Sequence, residues 1–214
     1  MRRPSWRRWP TSASGSSRDA VRRRERGAYG GEMTTRSGDR SYVEGDDFDD
    51  REFRRGVWRQ TLTSVALVTV SADGRDNVMA CEWAMMVSHS PMCFTISVHP
   101  RNATHDLLVA AGEFGLSFCS DTQAHLSNVS GSNSLHDVDK WQLADFPTYP
   151  ATRIGAPMID DAVLNVECRT VGTHRLGHTL FIGEAVWARY DSAHSPLIFH
   201  GGKYFQVGQQ VPKA

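Results

Sequence analysis

Apolar positions follow two regimes along this chain. Over about the first 45 residues they show no period; Arg, Ser and Gly dominate, and such a stretch cannot bury enough surface to offset the entropy of ordering it, so disorder is expected there. Beyond it, short apolar runs alternate with turn residues. Asp49 or Asp50 is suited to cap a helix reaching about Leu62, with Phe53, Val57, Trp58 and Leu62 on one side. Ser64 to Ser71 is nearly continuous in apolar and β-branched residues, the pattern of a strand covered on both faces. Asp73-Gly74 marks a hairpin turn into a second strand from about Asn77 to Trp83. A loop follows, and then Met92 to Val98 forms a third strand, which Pro100 ends.

A helix opening at Asn102 or Thr104 and stopped by Gly112 leads to a fourth strand, Phe114 to Cys119. Asp121 is placed to cap a short helix through Leu126 and Val129, with a Ser/Gly/Asn-rich loop at Ser130 to Ser134. Residues 136–161 hold three prolines and little periodicity and read as an irregular excursion. Three late strands, Ala162 to Val171, Thr179 to Tyr190 and Leu197 to Phe199, precede a short piece at Lys203 to Val207. About seven strands and three short helices favour a closed antiparallel barrel with helices on its rim over a βαβ sheet.

Length and composition narrow the class. A chain of 214 residues suits one domain, residues 48–210, behind a tail, residues 1–47. No stretch approaches the roughly 18 to 20 apolar residues of a membrane span, so no membrane partner is expected. The formal charge of zero conceals an asymmetry: residues 1–40 carry 11 arginines against four acids, and beyond Glu32 the chain holds 15 basic and 21 acidic residues. An acidic domain argues against a nucleic-acid surface. Cys81, Cys93, Cys119 and Cys168 form no C-x-x-C pair and read as free buried thiols in a reducing cytoplasm. The nine histidines show no metal-ligand spacing. For the tail, Arg7-Arg8 lacks the hydrophobic region of a twin-arginine signal. A transit peptide and a nucleic-acid arm are weaker readings than a passive tail or an upstream start codon with Met33 as the true beginning.

The chemistry concentrates between residues 64 and 111. Arg101 offers a planar fork, Asn102 and Thr104 add side-chain donors, and the helix opening there adds free amides and a positive dipole end. Converging within four residues, these groups suit a phosphate. The strands before them supply apolar walls for a flat ring. No G-x-G-x-x-G follows a strand, so no separate nicotinamide-binding domain is encoded.

Five segments in order, FRRGVWRQTLTSVALVTV from Phe53, DGRDNVMACEW, VSHSPMCFTISVHPRNATHDLL, HRLGHTLFIGEAVWARY and PLIFHGGKYFQVG, resemble the flavin reductase-like, FMN-binding split-barrel family. The likeness spans about residues 50–208. It implies a mainly β split β-barrel with short flanking helices, a homodimer, and FMN at the subunit interface. The activity implied is that of an NAD(P)H:flavin reductase, with NADH or NADPH as donor and a flavin-dependent monooxygenase as the partner supplied. The alternative is a flavoredoxin-like FMN electron carrier without nicotinamide turnover. A split-barrel oxidase of the pyridoxamine-phosphate type is a weaker third reading, because its basic substrate-phosphate cluster is not evident.

Hydride transfer belongs to the two cofactors, so the protein supplies binding, stacking and charge. The resemblance puts Met79, Ala80, Cys81, Glu82 and Trp83 on one side of the flavin ring and Ser97 and Val98 on the other, with Arg101, Asn102 and Thr104 at the phosphate. His178 and His200 lie in stretches matching the family and are expected beside the flavin or nicotinamide; from its place in the irregular segment His136 reads as part of a lid, and Ser127, Ser130 and Ser132, in and after the short helix, as further hydroxyl donors. The chain departs from the family twice. Where members often carry Gly-Asp-His it reads Leu176-Gly177-His178, and where the flavoredoxin-like branch carries Cys-Ser-Trp it reads Cys81-Glu82-Trp83. The second departure sets a carboxylate beside an anionic cofactor.

Overall fold

The computed structural model describes residues 34–36, 40–42, 48 and 50–213. The expectations for the tail, Met33 included, fall almost wholly outside these residues; within it, Thr34–Arg36 pairs antiparallel with Arg40–Tyr42. By its contacts the chain divides into a unit of residues 1–53 and a second unit of residues 54–214. In the first, the Phe48 and Phe53 rings lie 6.3 Å apart and Asp50 Oδ1 accepts the Phe53 amide at 2.6 Å, the cap expected for α1 (Arg51–Gln60). No residue of α1 is fully buried, because its apolar residues are only partly covered; Val57 is among those left exposed.

Four strands follow: β1 (Leu62–Ser64), β2 (Ala66–Ala72), β3 (Arg75–Cys81) and β4 (Ala84–His89). After them come β5 (Met92–Val98), α2 (Ala103–Ala111), β6 (Glu113–Phe118) and α3 (Ala124–Ser132). The excursion holds only β7 (Thr148–Tyr149) and β8 (Met158–Ile159), besides a 3-10 turn at Lys140–Gln142. The long hairpin β9 (Leu164–Arg175) and β10 (Thr179–Tyr190) precedes β11 (Ile198–His200) and β12 (Lys203–Phe205). The main sheet is antiparallel in the order β3-β2-β6-β9-β10-β5-β4; β12-β11-β1 and β8-β7 are small sheets of their own.

Asp73 and Gly74 both take positive φ (53° and 70°), so the two-residue turn closes β2 onto β3 at Ala72 and Arg75, as the sequence implies. The unbroken apolar run of β2 reflects two cores. Ala66, Val68 and Val70 face the main one, with Phe94, Ile96, Phe114, Leu116, Phe181 and Leu107 and Leu108 of α2. Val65, just before the strand, and Leu67 face the other, with Val78, Leu126, Phe146 and Ile159. Register shifts at Glu167/Cys168 and Thr170/Gly172 bend the β9–β10 hairpin. Glu167, fully buried, accepts the amides of Thr152 and Arg153 at 2.8 and 2.5 Å and so ties the excursion to β9.

Several expectations change. The sheet does not close: β3 and β4 remain its two edges, so the closed barrel gives way to the split one that the family resemblance implies. The loop expected between the second and third strands is the strand β4. Its Met85, Met86 and Val87 are exposed in succession, so edge position rather than alternation governs them and no period betrays the strand. Asp121 does not cap the short helix: a 3-10 turn, Asp121–Gln123, with Ser120 at its N-cap and a capping box to Gln123, leads into α3, whose own N-cap is Gln123. The helix also runs on through Ser132, where a loop was expected from Ser130; the Ser130 hydroxyl turns back to the Leu126 carbonyl at 2.7 Å. No described helix is long and apolar enough to cross a membrane.

Tight packing between β9 and β10 yields a test. A Cβ on Gly183 would meet Phe114 Cζ at 2.6 Å and Cys168 Cβ at 2.7 Å, whereas one on Gly172 meets nothing within 4 Å. Gly183→Ala is expected to destabilise the fold by about 1–3 kcal/mol through overpacking. Gly172→Ala is expected to change stability by less than about 0.5 kcal/mol. Denaturant unfolding of the two variants checks the contrast.

Candidate functional site

The site forms where the sheet fails to close. Only Glu82 and Trp83 separate its two edge strands along the chain. Cys81 still pairs with Ala66 of β2, whereas the Trp83 carbonyl already accepts the Ser97 amide of β5 at 3.0 Å. One extended stretch therefore bends at residues 82–83 and transfers its pairing from one end of the sheet to the other.

No strand covers the outer edge of β3. The Asp76 carbonyl there accepts Trp141 Nε1 at 3.2 Å, and the Val78 carbonyl accepts Lys140 Nζ at 2.9 Å. Backbone groups alternate sides along a strand, so the N–H and C=O of Ala80 point to this same open edge. Ala80 and Glu82 line a cleft on either side of it, one of about 160 Å³ and one of about 350 Å³.

The smaller cleft gathers Met79, Ala80, Cys81, Glu82, Trp83, Ser97, His99, Asn102 and His178. The His178 ring meets Trp83 and His99 edge-on, each at 5.0 Å. Lost solvation first, and then the neighbouring His99, push the His178 pKa down, so its imidazole is neutral at neutral pH. His99 Nδ1 accepts the Arg101 amide at 3.0 Å. Asn102 stands at the N-cap of α2 with extended backbone and no capping bond; its Nδ2 lies 3.7 Å from Met79 Sδ.

The larger cleft has a different character. Trp58, Phe199 and Tyr204 form an aromatic wall, with ring centroids 6.0 and 5.4 Å apart in sequence. Ser127, whose hydroxyl meets Tyr204 OH at 3.0 Å, Asn128, Ser132 and Glu82 supply the polar groups. Among the described residues lining it there is no lysine, arginine or histidine. Glu82 Oε1 accepts Trp58 Nε1 at 2.9 Å. Burial raises the Glu82 pKa, and the Trp58 hydrogen bond works against that rise.

Of the residues the sequence singles out, Met79, Ala80, Cys81, Glu82, Trp83, Ser97, Asn102 and His178 come together. The rest do not line this cleft. Val98 is fully buried in the main core, because it follows Ser97 on the strand and faces the opposite way. Thr104 is buried, and its Oγ1 accepts Asn77 Nδ2 at 2.8 Å, tying the start of α2 to β3. Arg101 is exposed beside the cleft and lines neither pocket. His200 packs on Phe205 at 6.2 Å in β11, and exposed His136 likewise lines neither. Ser127 and Ser132 reach the larger cleft, whereas Ser130 is buried and bonded within α3.

All four cysteines are free and buried. Burial pushes the Cys81 thiol up to about 11, which removes it as a nucleophile at neutral pH. Among the described residues no cluster of His, Cys, Asp or Glu is arranged to hold a metal ion. Sequence reasoning misses His99, the aromatic wall and Lys140. His99 carries a faint signal, closing β5 just before Pro100; Lys140 carries none, being a single lysine in an aperiodic segment.

Comparison with known proteins gives a consistent picture. Residues 58–208 match the flavin reductase like domain. The NADH:riboflavin 5'-phosphate oxidoreductase of Streptomyces pristinaespiralis is 28% identical over 149 residues, 68% of this chain and 82% of that one. The reductase component of an FADH(2)-dependent resorcinol hydroxylase from Rhizobium is 27% identical over 157 residues, 70% of this chain and 83% of that one. Among solved structures, the NADH:FAD oxidoreductase of Streptomyces globisporus superposes with a TM-score of 0.71 at 27% identity, covering 78% of this chain and 99% of that one.

Lys140 gives the site a pH signature. Its Nζ donates to the Val78 and Ser130 carbonyls at 2.9 and 2.8 Å, with no carboxylate among its hydrogen-bond partners, and burial pushes its pKa down to about 8. A neutral amine still has two N–H groups for those two carbonyls. Between about pH 8 and the unfolded value of about 10.5 the unfolded chain binds the extra proton, so this group adds stability as pH rises through that window. The buried thiols act oppositely above about pH 9, because the unfolded thiols ionise first. The difference between wild type and Lys140→Met in unfolding free energy is therefore the readout. It is expected to grow in favour of wild type from pH 8 to 10.

Proposed function

We propose that this chain, which belongs to the flavin reductase-like family, passes hydride from NADH or NADPH to flavin, with FMN as the flavin, and acts as a homodimer that supplies a monooxygenase. The observation that carries the reading is the open edge of β3. A flat heterocycle with a polar edge needs paired donors and acceptors, and the Ala80 N–H and C=O offer one of each, fixed by the strand at little entropic cost. The residues fit such a ring: apolar Met79 and Cys81 face the smaller cleft, small Ala80 lets a ligand approach, and Trp83 stands over it.

When bound, flavin supplies the hydride acceptor and the nicotinamide supplies the hydride, so the chain's own task is placement. Ala80 and Ser97 orient the ring, and Trp83 excludes water from one side. Neutral His178, held between Trp83 and His99, donates or accepts one hydrogen bond without bringing a charge. Arg101, Asn102 and the first amides of α2 hold the phosphate. Exposed Met85, Met86 and Val87 on the edge strand β4 give a second copy an apolar surface to cover. The hydroxylase reductase among the relatives supports a monooxygenase as the consumer of reduced flavin.

Purified protein is expected to bind FMN, and its visible absorbance is expected to bleach on anaerobic addition of NADH or NADPH, with nicotinamide oxidation rising as free flavin is added. Bound FMN that only a partner protein reduces would instead make it an electron carrier. Arg101→Ala is expected to weaken FMN binding by about 1.5–3 kcal/mol, the worth of a hydrogen bond to a charged group, and to leave riboflavin binding unchanged. Equal losses for both ligands would put the phosphate elsewhere.

A further inference from the structure

Glu82 occupies the wall common to both clefts, where the strand bends between the two ends of the sheet. One carboxylate oxygen is committed to Trp58. The other is bonded to no described side chain, although the group is half buried. That oxygen is reached from the clefts rather than sealed in, so it stands as an open acceptor on their common wall. The larger cleft has no described cation, its Ser127 hydroxyl is shared with Tyr204, and Ser132 Oγ points to Asn128 at 3.5 Å. Aromatic rings make up the facing wall.

We infer that Glu82 is a specificity-determining binding residue whose free oxygen accepts a hydrogen bond from an N–H or O–H group of the bound flavin, at the seam between the two clefts. This rests on the reading of the site as a flavin site. The carboxylate is a pure acceptor and repels anions. The phosphate end of the ligand therefore lies away from the larger cleft, on the side of Arg101 and α2, and a donor-bearing part of the ligand faces Glu82. Two parts of a flavin qualify: the ring N3–H and the ribityl hydroxyls. An ionised carboxylate only accepts, so Glu82 narrows the choice to donors.

The test uses the full-length protein at pH 8 and dissociation constants from fluorescence for FMN, riboflavin and lumiflavin, with Glu82→Gln as the variant. Glutamine keeps the volume and an oxygen for Trp58 but presents an amide NH₂ where the free acceptor was, so the melting temperature is expected to hold. Binding of FMN and of riboflavin is expected to weaken by the same factor, about ten-fold or more, as for a lost hydrogen bond to a charged acceptor. If lumiflavin weakens equally, the donor is the ring N3–H; if lumiflavin is unaffected, it is the ribityl chain. Unchanged constants for all three ligands would overturn the assignment. So would FMN alone binding more tightly, since that places the carboxylate beside the phosphate. Wild-type protein that binds no flavin would instead remove the flavin reading itself and this inference with it.

Discussion

The bend at Glu82-Trp83 is the constraint on which the rest of this structure depends. An antiparallel sheet that curls far enough to close normally satisfies its two edge strands by pairing them with each other. Here the edges are two halves of one extended stretch, and two residues of covalent chain replace a ladder of hydrogen bonds. The bend is held from both ends: Cys81 pairs back to Ala66, and the Trp83 carbonyl takes the Ser97 amide. What remains is a length of β3 edge whose backbone groups need partners. Trp141 and Lys140 supply two of them, and Ala80, next along the same edge, lines both clefts.

Electrostatics then divide the site. On one side of the strand lie two imidazoles and, just beyond, Arg101 and the start of α2; on the other lie a carboxylate and three aromatic rings. An extended ligand with an anionic end and an uncharged, donor-bearing end has one favourable way to lie across such a seam. The buried polar groups that do not face the clefts act as braces. Glu167 fixes the turn at residues 152–153, and Lys140 joins β3 to the end of α3 and to the excursion that covers it.

Legibility in the sequence tracked the range of the interaction responsible. The Asp73-Gly74 turn, the strands Met92 to Val98 and Thr179 to Tyr190, and the stop of α2 at Gly112 are local matters of turn chemistry and period, and each stands where the pattern puts it. Strand β4 was illegible because an edge strand with exposed methionines obeys no alternation. At the site, the stretch from Met79 to Trp83 was readable as one strand with small residues, with Ser97 and Asn102 close behind in sequence. Thr104, buried in α2 with its Oγ1 accepting Asn77 Nδ2 of β3, and Val98, which the alternation of β5 turns into the core, line neither cleft.

By itself the chain determined most of its longer strands and its tightest turn, an acidic domain with free thiols, and the family to which the ordered segments belong, since all of these reside in residue type and short-range order. Tertiary structure alone decided that the sheet stays open, that His99 meets His178, that Trp58 holds Glu82 across 24 residues, and that a lysine lies buried against two carbonyls. The physical reason is the same in each case. Burial, pKa and hydrogen-bond partnership belong to pairs of groups brought together by the fold, and no spacing along a single chain encodes which pairs those are.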